Sequence, residues 1–436
     1  MSTFLFAGHP GMGHLNPLMT IAGALEAVGH RTVFAGFGPA TVERQVTARG
    51  FTVLHHRPVP SALGLALLPA LSGVLETWAA MRLFTAQPGA YARALIPTLK
   101  RVQPACVVAD FSFPGAGLAA EVLGIPWVSI YHAGLGYPGP GVPPMGTGLP
   151  IGRDGGWWGR LAALVFPWVN QSVRSRLGRA RRALGLAPPP PGEWWSSPWV
   201  TLILSADFVE APRTVGPRTF FVGPCIAGRS EGGDFPFEQL SGDVPNVYVS
   251  LGTVFNNKPR VFLKIVEAFR NVPVQLVVSA GGAYERLRNH PLAANALLFP
   301  RVPQLQVLPR VDAVISHGGN NTVNETLAAG KPLLVMPVGG EQGDNASRVE
   351  FLGAGLRADL NRSSPEEIRT KVLRLLREAS FRERAHEAAL ALARTNGPDT
   401  VMRFLLHVAD TRKPVERPAG YPLTVTRELP TPWSAW

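Results

Sequence analysis

Cysteine is nearly absent: Cys106 and Cys225 are the only two in 436 residues. They lie far apart and in no metal-like or redox spacing, which argues against a disulfide scaffold or a thiolate metal knot. A reduced intracellular protein is the expectation. Acid is scarce beside base, with 30 Asp and Glu against 42 Lys and Arg, yet charged residues make up only 17% of the chain while 46% is hydrophobic. That balance excludes a disordered chain and describes a globular one. The net charge of +12 admits an anionic ligand, a nucleic acid or a membrane surface and does not choose among them. Long apolar runs are missing as well. The most apolar stretch, Leu63 to Leu75, is short and contains Pro69, so no transmembrane helix is expected. The start, MSTFLFAGHPG, has no early positive charge and no long apolar core, so it does not read as a signal peptide. The expected location is cytoplasmic.

Several phosphate signatures are missing too. The chain has no GxxxxGKS/T, and no GxGxxG opens a helix after the first strand. There is also no DxD triplet, which weighs against a transfer reaction that holds its diphosphate through a divalent ion.

What is present is an alternation. TFLFAG (Thr3 to Gly8), RTVFAG, ACVVAD and WVSIYH read as buried strands with helical stretches between them, and Pro17 to Val28 reads as a helix with Asn16 as its N-cap. From Val222 to Val244 the composition turns to glycine and charge without periodicity. Then NVYVSL, VQLVVSA, DAVIS and PLLVMP restart the pattern. The pattern predicts an α/β chain with parallel sheets, and the length fits two domains of roughly 200 residues. The expected limits are a first domain over 1–222, a linker over 223–244, a second domain over 245–412 and a proline-rich tail over 413–436.

In such sheets ligands gather beyond the carboxyl ends of the strands. After the first strand comes HPGMGHLNP, where glycines permit close backbone approach and His14 stands just before the expected helix. A helix N-terminus disfavours an imidazolium, so a neutral base is favoured there. ACVVAD ends in Asp110, at the same sheet edge, and a histidine held by an aspartate is the arrangement that deprotonates a hydroxyl. The plainer alternatives are that His9 or His14 fills the turn and that Asp110 caps a loop. In the second half, SLGTV brings Ser250, Gly252 and Thr253 to a strand end, and SHGGNNTVNE brings His317, Gly318, Gly319, Asn320, Asn321, Thr322 and Glu325. Amides and hydroxyls at a helix start bind phosphate oxygens. This turn contains no lysine or arginine, so the helix dipole, His317, Asn321 and Thr322 are assigned the anion. Glu325, one turn on, can accept from vicinal hydroxyls. Glu341 and Gln342 follow PLLVMPVGG, either as ligands of a further polyol or as solvated loop residues. Phosphate, diol and polyol in that order describe a nucleotide sugar.

These stretches resemble the inverting glycosyltransferases of family 1 with the GT-B fold, the UDP-sugar-dependent natural-product glycosyltransferases. The resemblance spans nearly the whole chain, through GMGHLNPL, VVADFSFPGAGLAAEVLGIPWV, FVGP and above all VPQLQVLPRVDAVISHGGNNTVNETLAAGKPLLVMPVGGEQGDNA. It implies two Rossmann-like doubly wound domains facing each other across a cleft, with acceptor and base in the first and donor in the second. By position it implies His14 as catalytic base and Asp110 as its partner. Gly13, Val302 and Gln304 fall among the donor contacts, the latter two at base and ribose. His317, Gly319, Asn321, Thr322 and Thr253 fall at the diphosphate, Glu325 at the ribose hydroxyls, and Glu341 and Gln342 at the sugar. Two positions depart from the family pattern. Arg301 stands where the family has a tryptophan that stacks on the base, so dTDP competes with UDP as nucleotide, although a guanidinium plane also stacks. Glu341 replaces the usual aspartate.

The acceptor side is read from the first domain. Trp157 to Trp199 holds six of the ten tryptophans, and Arg153 to Arg182 holds seven arginines against one acid, Asp154. The Trp/Arg-rich segment 157–182 reads either as a helix whose apolar face closes the acceptor pocket or as an amphipathic basic helix on an anionic bilayer. Both readings imply a small hydrophobic acceptor such as a flavonoid, terpenoid, carotenoid or lipid alcohol. The expected function is metal-independent, cofactor-free inverting transfer of a sugar, glucose first, from a UDP-sugar to a hydroxyl, giving a β-glycoside. Rivals of the same fold are a lipid-intermediate glycosyltransferase and a nucleotide-sugar epimerase. A basic nucleic-acid-binding protein is the rival of another class; it rests on charge alone, and no nucleic-acid partner is expected.

Overall fold

A computed structural model describes residues 1–56, 86–132, 141–143, 145–152, 171–188, 196–226, 235–252, 256–418 and 424–425. Two units emerge. The described parts of 1–140, 156–229 and 395–436 form the first, and those of 141–155 and 230–394 form the second.

The first unit is built on β1 (Thr3–Ala7), β2 (Arg31–Gly36), β3 (Thr52–His55), β4 (Cys106–Asp110), β5 (Trp127–Tyr131), β6 (Val200–Ile203), the two-residue β7 (Arg213–Thr214) and β8 (Thr219–Phe221). Seven of these strands form one sheet in the order β3-β2-β1-β4-β5-β6-β8, and every pairing is parallel. Strands such as FLFA and CVVAD are apolar on both faces because helices cover both. Its helices include α1 (Met12–Ala27), α2 (Ala40–Thr47), α3 (Pro88–Val102) and α4 (Pro114–Val122). From β1 the chain winds outward to β3 and then returns to β4 on the other side of β1. The β1/β4 junction is therefore the topological switch point. Gly8 is required there: a Cβ on it would lie 2.9 Å from Leu18 Cδ1 and 3.2 Å from Asp110 Cβ.

The second unit repeats the plan with β9 (Asn246–Ser250), β10 (Gln275–Ser279), β11 (Ala296–Phe299), β12 (Ala313–Ser316), β13 (Leu333–Val335) and β14 (Gly355–Arg357). Its six strands run β11-β10-β9-β12-β13-β14, again all parallel, and the switch falls between β9 and β12. The main helices are α5 (Pro259–Ala268), α6 (Asn320–Ala328), α7 (Gln342–Leu352), α8 (Pro365–Arg377) and α9 (Ala379–Ala393). Val247, Val249, Phe262, Ile265, Leu276, Ile315, Leu334 and Ile368 form the middle of its core.

Several sequence expectations are corrected. The first helix begins at Met12, with Gly11 as N-cap, rather than at Pro17. Pro17 lies within it, where its absent N–H costs one bond to the Gly13 carbonyl, and Asn16, expected as the cap, accepts from Arg49 Nη1 at 2.8 Å. The second domain does not extend to 412. α10 (Gly397–Thr411) belongs to the first unit, where Val401, Phe404, Leu405 and Val408 join the core around Phe4, Phe6 and Phe220. The expected linker is shorter as well: Val222 and Gly223 hydrogen-bond to Ile203 and Ser205, and the Phe235 ring packs at a tilt of 54° against Phe299 of the second unit. The start of the tail packs down, with Val415 buried and Arg417 N donating to Pro217 O at 2.8 Å.

Residues 141–143 and 145–152, which follow β5 in sequence, are held in the second unit. Asp344, in the first turn of α7, accepts from Gly146 N at 2.5 Å and Gly148 N at 2.9 Å. Ser347 Oγ donates to Leu149 O at 2.7 Å, and Arg357 donates to Gly148 O.

Candidate active site

In the first unit the strand ends place four groups together. His14 is the third residue of α1 and Asp110 is the last of β4. His14 Nδ1 meets Asp110 Oδ2 at 2.8 Å. Asp110 is shielded completely, while the His14 side chain is 23% exposed. Oδ1 of the carboxylate accepts from Ser112 N at 2.7 Å and Ser112 Oγ at 2.6 Å. A second imidazole, His132, follows β5 and meets the same Oδ2 through Nε2 at 2.7 Å. Burial alone would push the Asp110 carboxyl up, but the two imidazoles outweigh it and hold it well below the usual carboxylate range. Nearby His9, whose ring centre is 5.1 Å from that of His14, is pushed down to about 3, first by burial and then by His14. Two imidazoles and a carboxylate, with ligand-type atoms within 4.8 Å of one another, are also a divalent-ion donor set. Here the two nitrogens facing the carboxylate are engaged by its Oδ2.

His132 escaped the sequence reading although it closes the stretch WVSIYH. The strand-end rule that found Asp110 finds it when applied one strand further on.

In the second unit the turn after β12 is shaped by His317. Its ring lies between two glycines: a Cβ on Gly252 would fall 2.5 Å from the imidazole and one on Gly319 would fall 2.6 Å from it. Gly252 also has φ of +75°, a conformation that L side chains rarely adopt. Burial pushes His317 down to about 4, against the pull of a hydrogen bond to the Ser250 backbone. The ring is therefore neutral at neutral pH. Ser316 Oγ accepts from Gly318 N at 3.1 Å, and Asn345 Nδ2 donates to Gly318 O at 2.8 Å. α6 starts at Asn320 with no side-chain cap, which puts Asn321 and Thr322 in the first turn, whose amides have no carbonyl within their own helix.

A cation stands behind this turn after all. Arg348 of α7 is 2% exposed and its Nη2 donates to Asn320 Oδ1 at 2.9 Å, with Asn324 Oδ1 at 3.4 Å. No local pattern marks it, because it lies inside a helix 28 residues after Asn320.

Glu325 is buried and accepts from Gln304 Nε2 at 2.5 Å; Tyr248 Oη donates to Gln304 Oε1 at 3.2 Å. These two expected donor contacts are thus brought together. Val302 is buried, while Arg301 is exposed three residues before α-helical Gln304–Val307. Gln342 is buried, and its Oε1 accepts from Val338 N at 2.8 Å and Gly339 N at 3.2 Å. Its carbonyl end therefore shapes the VGG turn, and its NH2 end is what it can present to a ligand. Glu341 precedes it as N-cap of α7. Gly13 is exposed in the first turn of α1. Thr253 lies outside the described residues.

Of segment 157–182, the part over 157–170 lies outside the described residues. The part over 171–182 is helical, buries Val173 and Leu177, and pairs Arg181 Nη2 with Glu121 Oε2 at 2.7 Å. Among the described residues no helix is long and apolar enough to cross a membrane.

Known proteins resemble this chain over most of its length. Residues 191–392 match the family described as UDP-glucoronosyl and UDP-glucosyl transferase. The 4'-demethylrebeccamycin synthase of Lentzea aerocolonigenes is 30% identical over 404 residues, covering 87% of this chain and 93% of that one. The zeaxanthin glucosyltransferase of Pantoea ananas is 24% identical over 97% of this chain and 99% of its own. The crystal structure of the calicheamicin glycosyltransferase CalG4 superimposes with a TM-score of 0.74 at 23% identity, covering 94% of this chain and 99% of that one. With two Rossmann-like parallel-sheet units and a relative matched along most of its length, the chain belongs to the UDP-glycosyltransferases, the family 1 glycosyltransferases of the GT-B fold.

Proposed function

We propose that this enzyme transfers a sugar, glucose in the first instance, from a UDP-sugar to a hydroxyl of a small hydrophobic acceptor, with inversion at the anomeric carbon. The observation that carries the reading is the 2.8 Å contact between His14 Nδ1 and a buried, ionised Asp110. With Nδ1–H given to Asp110, the imidazole lone pair lies on Nε2. That nitrogen takes the proton as the acceptor oxygen attacks the anomeric carbon, and Asp110 stabilises the imidazolium that forms. The bond to the diphosphate breaks with its electron pair, and one displacement turns an α-linked donor into a β-glycoside.

The donor part of this reading is supported by the second unit. The first-turn amides of α6, with Asn321, Thr322 and neutral His317, take the diphosphate, and buried Arg348 adds positive charge behind them. Glu325, steadied by Gln304, accepts from the ribose hydroxyls, and Glu341 with the Gln342 amide takes the sugar hydroxyls. Arg301 offers a plane for the base. Charge neutralisation by amides and dipole makes a divalent ion unnecessary, so EDTA should leave the rate unchanged.

The test is a matrix of UDP- and dTDP-sugars against hydrophobic alcohols and phenols, read by mass spectrometry, with the anomeric configuration assigned by NMR. His14→Ala should abolish transfer and keep UDP binding. Near-normal turnover in that variant would remove the base assignment.

A further inference from the structure

We propose that His132 is a positioning residue for the base: it fixes Asp110 against His14 and, by sharing the same carboxylate oxygen, weakens the grip of that carboxylate on the proton that His14 takes up. The inference rests on the His14–Asp110 reading above.

Asp110 receives four hydrogen bonds, two on each oxygen. Ser112 N and Ser112 Oγ hold Oδ1 at 2.7 and 2.6 Å, and His14 and His132 hold Oδ2 at 2.8 and 2.7 Å. A carboxylate has about four lone-pair sites, so this one is saturated and cannot rotate without breaking bonds. Without His132, Oδ2 keeps its contact with His14 and the side chain loses the restraint that fixes the angle at which it meets that ring.

Exposure divides the work between the two rings. The His14 side chain is 23% exposed and the His132 side chain 6%, so an acceptor hydroxyl can reach the first and not the second. His132 stands edge-on to His14, ring centres 4.7 Å apart at 88°, and edge-on to Phe111 at 5.7 Å and 75°. Its plane is therefore set by packing as well as by its hydrogen bond. Among the described residues, the titratable groups around His14 are His9 from the β1–α1 loop, Asp110 at the end of β4 and His132 just after β5.

A second donor on one carboxylate oxygen draws off part of its negative charge, and a less negative carboxylate holds a neighbouring imidazolium less tightly. The sign is the same whether His132 is neutral or charged. His132 thus trades base strength for ready proton release. His14 still accepts the proton in the transition state, and it returns the proton to solvent before the next turnover.

The experiment compares kcat and KM across about pH 5 to 9 for the wild type, His132→Phe, which keeps a ring without a donor, and His132→Gln, which keeps a neutral donor. His14→Ala is the control. In His132→Phe the acid limb of kcat/KM should move up by about half to one pH unit, and kcat should fall about tenfold with donor KM unchanged. His132→Gln should restore the wild-type limb. If phenylalanine is not accommodated, His132→Asn, too short to reach Oδ2, takes its place with the same expected shift. An unmoved acid limb, or equal shifts with and without the donor, overturns the proposal. Turnover surviving in His14→Ala would instead overturn the base reading beneath it, so the two failures are distinguishable.

Discussion

Asp110→Asn keeps the shape of the side chain and removes its charge. Four donors converge on the wild-type carboxylate, Ser112 N and Oγ on one oxygen and two imidazoles on the other. A carboxamide accepts only through its oxygen. The Ser112 backbone N–H cannot turn away, so the oxygen stays there and the NH2 faces both imidazoles. Each ring must then offer a lone pair toward residue 110, and His14 places its N–H where the acceptor hydroxyl should arrive. Losing a correctly prepared base costs about 10²- to 10⁴-fold in kcat, or about 3 to 5 kcal/mol of barrier. Breaking the buried charged network also costs stability, about 3 to 5 kcal/mol. The pH dependence carries a sign of its own. Burial opposes ionisation of Asp110, but His14 and His132 more than reverse it, so the folded pKa lies below the unfolded one. The stabilisation is then complete above the unfolded value, about 3.9, and is lost as pH falls through the folded value. The variant lacks this contribution, so its melting temperature should fall less steeply than that of the wild type below about pH 4. Steady-state product formation at neutral pH and calorimetry across the acid range measure both effects. A variant with kcat within about fivefold of wild type would refute the tautomer argument.

Other expectations concern the donor unit. Gly252→Ala forces a left-handed residue, at about 1 to 2 kcal/mol, and drives its methyl into His317; affinity for UDP measured by calorimetry should drop about tenfold or more, with retained affinity counting against the packing account. Glu325→Gln should weaken UDP by about tenfold and leave inorganic diphosphate binding unchanged, since the carboxylate is assigned to hydroxyls; equal losses for both ligands would reassign it. His317 is neutral down to about 4, whereas an unfolded imidazole protonates from about 6.5. The unfolded state therefore gains the proton first, and stability falls from about pH 6.5 toward 4; His317→Gln should flatten that slope in denaturant titrations at pH 7 and 5.

The alternation of strands and helices, and the residues closing β1, β4, β9 and β12, were legible because a parallel sheet brings strand ends to one edge whatever the loops do. Asp110 and His317 could be placed by that rule alone. The start of α1 was misread because Asn16-Pro17 carries a strong cap signal, while Gly11 has none; the intervening turn is set by tertiary packing that no propensity records. The destination of α10 was hidden for a related reason. Its apolar stripe states that it covers a core, and both units offer one. Arg348 and Asp344 bond to partners distant in sequence, so neither carries a local mark.

The strap over 141–152 bears on recombining such enzymes. A chimaera made with a single crossover near 229 would separate the strap from α7 and α10 from the sheet it covers. Four junctions, after 140, 155, 229 and 394, keep each unit's own pieces together. The strap and α7 must also come from the same parent, because Gly148 and Gly343 meet so closely that a Cβ on either would lie 3.1 or 2.9 Å from the other's Cα. A parent with a larger residue at one position needs its own partner at the other.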